Sequence, residues 1–277
     1  MYPLTTAGDC FSNRAVERRK YSPWTIMPRT QTEADALRAW IATHQTMFLV
    51  IGAATTALAK AICKIRVGSE RQALFCLRLG INLRLASSVY TKVPSVDRTT
   101  YEQYVRPAMT GVRKGFSGVS SRETIELSCV LSTLRTCLKT IQEKPGGLTV
   151  AVPQMLTEAL EADRVWWMLH GEAMKRMVQQ PISLAQQEYS RRRISGENVG
   201  THSEFLTNEL QTPDALDDYD RFFACSREAL NSSDYSDELH FSLNVSDPYI
   251  CRSAPYKNYR GLLDGALDEL PSLATLE

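Results

Sequence analysis

The stretch from Thr32 to about Arg66 constrains the fold more than any other part of the chain. Thr32 followed by Glu33 has the character of a helix start. Behind it Leu37, Trp40, Ile41, Phe48, Leu49 and Ile51 recur as in a helix buried on most of its sides. Such a helix needs neighbours on several faces, and the chain supplies them. Gly68-Ser69 ends the first helix, and a second is expected from about Glu70 to Tyr90, with Leu74, Leu77, Ile81, Leu85 and Val89 on one stripe. A third is expected from Ser121 to Glu143, closed by Pro145-Gly146-Gly147, and a fourth from Pro153 to about Gln179. Pro181 opens a further helical stretch to about Arg193. No alternating run of β-branched residues is long enough to demand a sheet. The expected fold is mostly α, a bundle of four long helices in one domain over residues 31–277. An irregular N-terminal arm over residues 1–30, with Pro3, Pro23 and Pro28, precedes it, and residues 195–277 read as a polar wrap of short helices. Residues 91–120, with Pro94, Pro107, Gly111, Gly115 and Gly118, read as a long connection, a kind of segment that often carries function.

The bulk numbers exclude several classes. A formal charge of +1 over 277 residues gives no reason to expect nucleic acid or an anionic membrane as partner. Arg191, Arg192 and Arg193 read as a solvated helix end, with a seat for a phosphate or propionate as the alternative. Cysteines 10, 63, 76, 129, 137, 225 and 251 form no Cys-x-x-Cys and no Cys-x-x-Cys-His, so neither a zinc site nor haem attached through that motif is supported. Most sit among apolar neighbours, as in Leu74-Phe75-Cys76-Leu77, and read as buried small hydrophobes in a reducing cytoplasm. The N-terminus lacks the pattern of a signal peptide, and the longest apolar run, Met47 to Leu58, is short for a membrane span.

Four histidines remain as candidates for chemistry. His44 interrupts the apolar run Trp40–Leu49. It is either a core imidazole satisfied by a backbone carbonyl or a group that serves a ligand. His170 lies on a face with Trp166, Leu169, Ala173, Met174 and Met177, and Gly171 beside it lets a flat group approach the backbone. One neutral imidazole in such a wall suits the axial ligand of a haem; a core helix that contains one histidine is the plainer alternative. His202 and His240 have polar neighbours and read as surface residues. The Glu-x-x-His pairs of a di-iron bundle are absent. In Gly115-Phe116-Ser117-Gly118-Val119-Ser120-Ser121-Arg122, backbone N–H groups, hydroxyls and a guanidinium lie at a helix start. They form either a carboxylate seat or an ordinary capped helix with a solvent-facing arginine.

Taken in order, these three features resemble the tryptophan 2,3-dioxygenase superfamily of histidine-ligated haem enzymes. His44-Gln45-Thr46 follows an apolar run on the first core helix, Gly115-Phe116 leads to Arg122 at the family's spacing, and Trp166-Trp167 precedes a helical His170 followed by Met174 and Arg176. The resemblance covers about residues 33–180. It implies haem b (iron protoporphyrin IX) between the core helices, His170 as the proximal iron ligand, His44 on the distal side, and Arg122 holding a substrate carboxylate. Trp40, Phe48, Phe116 and Ser117 would line the substrate pocket. The Gly-Thr-Gly-Gly-Ser-Ser-Gly loop of the dioxygenases is absent; its nearest analogue is 196–203, where Thr201 would take the ammonium. That departure, and the short segment between Arg122 and His170, point to smaller relatives of natural-product pathways. These include haem-dependent L-tyrosine hydroxylases, a 3-methyltyrosine hydroxylase and indole-oxidising enzymes.

The implied function is ring hydroxylation of an aromatic amino acid, foremost L-tyrosine to 3,4-dihydroxyphenylalanine, with peroxide or dioxygen as oxidant. A tryptophan or indole dioxygenase or an indole oxidase is the second enzyme reading, and a non-catalytic helical interaction protein the reading of another class. In the dioxygenases N-terminal arms exchange between subunits, which implies a dimer or tetramer here, with Tyr21 and Trp24 reaching into the neighbour's pocket.

Overall fold

A computed structural model describes residues 26–88, 96–116, 121–143, 148–178, 182–235 and 259–276. Helix α1, Gln31–Arg66, starts at Thr30 rather than Thr32: the Thr30 hydroxyl accepts from the Glu33 backbone N–H, and the Glu33 carboxylate accepts from that of Arg29. Gly68, at φ 73°, makes the left-handed turn into α2, Glu70–Ala86. The expected extension of α2 gives way to a tighter turn at Ser87 and Ser88, and Val89 and Tyr90 lie outside the described residues. The Ser87 and Ser88 hydroxyls donate to the Arg84 and Leu85 carbonyls and so compete with the next helical turn. Helices α5, Arg122–Glu143, and α6, Ala151–Met177, complete the four long helices. Helix α1 packs on α2 and α5, α2 on α6, and α5 on α6. Among the described residues no strand occurs, and the mostly α bundle is as expected.

Residues 98–112, expected within a long connection, are helical: α3, Arg98–Thr100, a wide π-helical turn, Tyr101–Val105, and α4, Arg106–Val112. Pro107 stands in the first turn of α4, and the wide turn before it takes up the ladder position where its ring would collide. After α7, Leu184–Ile194, and α8, His202–Phe205, comes α9, Pro213–Asn231. It is not a short wrapping helix. Thr212 caps it, Pro213 opens it, and Tyr219, Phe222 and Phe223 are buried against α1. Helix α10, Tyr259–Ala274, covers α2.

Three further expectations change. Of the described cysteines only Cys76 is buried, whereas Cys63 and Cys129 are exposed, because they fall on the outer faces of α1 and α5. His202 is half-buried against the edge of the Tyr189 ring, with its Nε2 buried and unpartnered, rather than a plain surface residue. Helix α1, at 36 residues, is by length and composition apolar enough to cross a membrane, which its uninterrupted run understates; 56% of that apolar window is buried inside the bundle. The arginine run is a helix end, with Arg191 paired to Glu188 and Arg192 to Glu197 and Glu209.

Candidate functional site

Trp40, His44 and Phe48 recur every four residues on α1 and therefore share one face. The Trp40 ring, 1% exposed, stacks on the His44 ring at 4.1 Å, and Phe48 meets His44 edge-on at 6.0 Å. The Nδ1–H of His44 donates to the Trp40 carbonyl at 2.8 Å. A carbonyl only accepts, so the neutral ring carries its hydrogen on Nδ1 and keeps the lone pair on Nε2. The backbone-satisfied reading of this histidine holds for Nδ1.

Helix α6 repeats the arrangement. Trp166 precedes His170 by four residues and stacks on it at 5.1 Å with 6° between the ring planes. On Trp166 lies the guanidinium of Arg84 from α2, its carbon 4.0 Å from the ring centroid. Asp163, one turn before Trp166, holds Arg84 through a single oxygen, Oδ1, at 3.0 Å from Nε and 2.6 Å from Nη2. Three nitrogens of this stack are buried with no hydrogen-bond partner: Arg84 Nη1, Trp166 Nε1 and His170 Nδ1.

The two imidazoles are near enough for their charges to act on each other. Burial lowers the His44 pKa to about 4, against the pull of the Trp40 carbonyl and with the charge of His170 adding to the fall. Burial lowers His170 to about 4 as well, and the Arg84 charge works in the same direction. Both rings are therefore neutral near pH 7, the form that ligates a metal or accepts a proton. A Cβ built on Gly171 would meet nothing within 4 Å, so the backbone after His170 faces open space. An unpartnered buried nitrogen, two neutral imidazoles and aromatic neighbours are a donor set whose chemistry fits a haem.

The wall on the His44 side comes largely from α9, which the sequence reading did not single out. Phe222 and Phe223 each lie 5.2 Å from Trp40, and Tyr219 lies 5.7 Å from Phe48. Phe116 stacks on Tyr219 at 4.9 Å. Trp40, Phe48 and Phe116 thus join His44 in one aromatic cluster. The spacing of Tyr219, Phe222, Phe223 and Ser226 behind a Thr-Pro start is the signal that would have found α9. Ser117 lies outside the described residues. Arg122 is exposed in the first turn of α5, where the neighbouring Glu123 acts on the buried Tyr219 phenol; burial first, and that charge second, raise its pKa well above the ordinary value. Thr201 stands apart: its hydroxyl caps α8 in a reciprocal box with Glu204, beside the small satellite core of Ala185, Tyr189, Phe205 and Leu210.

Residues 7–163 match the family model of the SfmD 3-methyl-L-tyrosine peroxygenase. The chain belongs to that family. Membership makes it an oxidoreductase, a haem-dependent peroxygenase. The matched stretch holds Trp40, His44, Phe48, Arg84, Phe116, Arg122 and Asp163 and ends seven residues before His170. No curated protein and no solved structure matches the chain.

Proposed function

We propose that this peroxygenase hydroxylates the ring of a tyrosine-class amino acid, L-tyrosine or its 3-methyl derivative, with peroxide as oxidant, in natural-product biosynthesis. The observation that carries the reading is the pair of neutral imidazoles, each stacked on a tryptophan, that act on each other across α1 and α6. The His170 imidazole would hold haem b, and the His44 imidazole would serve as the base beside it. When bound, the haem supplies the activation of peroxide and the transfer of one oxygen atom to the ring, with the other leaving as water.

The chain's own residues do the rest. The Trp40 carbonyl orients the His44 ring so that its Nε2 lone pair faces away from the helix and takes a proton from peroxide or phenol. A base that is neutral at pH 7 is ready for that step. Phe48, Phe116 and Tyr219 exclude water and present flat faces for an aromatic substrate. Arg122, exposed in the first turn of α5 beside Glu123, holds the amino acid's carboxylate. Thr201 binds the ammonium once 196–203 moves and its cap with Glu204 opens.

Purified protein from haem-replete cells should show a Soret band near about 400 nm. His170→Ala should lose it, whereas His44→Ala should retain the band and lose turnover. With L-tyrosine or 3-methyl-L-tyrosine and hydrogen peroxide the product should gain one oxygen atom. Colourless protein overturns the haem reading, haem loss in His44→Ala with retention in His170→Ala reverses the two roles, and a product with two added oxygens indicates ring cleavage.

A further inference from the structure

We infer that Arg84 and Trp166 form a buried carboxylate seat beside His170, separate from Arg122. The inference rests on the haem reading above. Its observation is different: the two side chains are 3% and 5% exposed, yet each keeps a nitrogen without a partner, Nη1 of Arg84 and Nε1 of Trp166. Native interiors rarely leave such atoms unused, because a buried donor without an acceptor loses the hydrogen bonds it made in water. Here two occur within one stack, with the guanidinium carbon 4.0 Å from the indole centroid.

The chemistry of the missing partner follows from the donors. Arginine and indole nitrogens donate and never accept. The ligand must therefore bring acceptors. Asp163 spends one oxygen on Nε and Nη2 together, which leaves both N–H bonds of Nη1 open. An oxygen acid that takes two or more donors at once fits this edge, and a carboxylate is the acceptor-only group that pairs with guanidinium in a low dielectric. The planar fork is already immobilised between Asp163 and the Trp166 face, so little rotamer entropy remains to be lost on binding. The ring of His170, stacked on Trp166, also keeps a buried nitrogen without a partner, Nδ1.

Two carboxylates are available to this enzyme, the propionate of a haem and the carboxylate of the amino acid. Paired probes separate them. Haem-free protein is titrated with protohaem and with its dimethyl ester, followed by the Soret band. Haem-loaded protein is titrated with L-tyrosine and with tyramine, followed by the shift of that band. Trp166→Phe removes one donor and keeps the ring. The double variant Arg84→Met/Asp163→Leu removes the guanidinium without leaving a lone buried charge. Circular dichroism reports whether each variant is folded.

A propionate seat predicts that the wild type binds protohaem at least tenfold more tightly than the ester, and that the double variant loses this preference while Trp166→Phe reduces it. An amino-acid seat predicts the same pattern for L-tyrosine over tyramine. Folded variants that keep both preferences at wild-type size overturn the inference, as does a wild type with neither preference. A wild type that binds neither haem overturns instead the reading on which the inference rests.

Discussion

Trp166 and His170 lie parallel, 6° apart at 5.1 Å, one turn from each other on α6, and Trp40 and His44 stack at the same spacing on α1, at 4.1 Å with 25° between the planes. The shared Trp-x-x-x-His spacing is a direct consequence of helix geometry, since residues four apart face the same way. Each indole blocks one face of its imidazole and excludes water from it. Burial of this kind holds both rings neutral.

The neutral histidines make the haem-free protein acid-sensitive. In the unfolded chain each ring titrates near 6.5, and in the folded protein near 4. Between those values the unfolded state binds more protons, so stability rises with pH and falls on acidification. Each histidine should remove about 2 kcal/mol between pH 7 and pH 5. Urea unfolding at the two pH values measures the loss, and His170→Phe should cut the difference by about half. An equal midpoint at both pH values would contradict the burial of the rings.

Asp163→Ala should be among the most damaging single changes on α6. It leaves the Arg84 guanidinium charged and without its counter-ion in the core, where burial already lowers its pKa to about 10. Loss of one member of such a pair costs about 3–5 kcal/mol, while replacement of both by apolar residues is far milder. Denaturant midpoints of Asp163→Ala and of Arg84→Met/Asp163→Leu compare the two. A single variant no worse than the double would mean that Arg84 finds another acceptor.

Much of this fold is legible in the chain because its signals are local. Gly68 and the apolar period of α1 act within one or two turns, and so the bundle is readable from periodicity, whereas the start of α1 falls at Thr30, two residues before the expected Thr32. His44 and its aromatic neighbours Trp40 and Phe48 are readable for the same reason, being three members of one helical face. Arg84 is not. It stands in Leu83-Arg84-Leu85, and its partner Asp163 is 79 positions away, so nothing nearby reveals that it is buried or paired. The aromatic face of α9 is hidden by its composition: Asp214, Asp217, Asp218 and Asp220 give a polar average, although the periodicity of Tyr219, Phe222, Phe223 and Ser226 is clear. Average polarity was the misleading measure, and period was the informative one.

Tyr219→Phe should leave the protein as stable or slightly more so. The phenol oxygen is buried without a partner and only 4% of the residue is exposed, so its removal ends a desolvation cost of about 1 kcal/mol. The ring, stacked on Phe116, stays in place. Thermal melting should rise by about 2–4 °C for a chain of this size. A lower melting point would show that the hydroxyl has a partner in solution.

Gly80→Ala tests how closely α1 and α2 cross. A Cβ at position 80 would lie 2.6 Å from Leu58 Cδ2 and 2.7 Å from its Cγ, both well inside contact distance. Leu58 is 1% exposed and belongs to the main core, so its side chain has little free space to turn into. In an exposed helix the same change would stabilise, since alanine is the better helix former by about 1 kcal/mol. Here overpacking of about 1–3 kcal/mol should win and the variant should unfold at lower urea. Leu58→Ala in the same background relieves the collision, so the double variant should lose less than the sum of the two single changes. Additive losses would mean that the helices separate rather than repack, and that the crossing at Gly80 is looser than the distances imply.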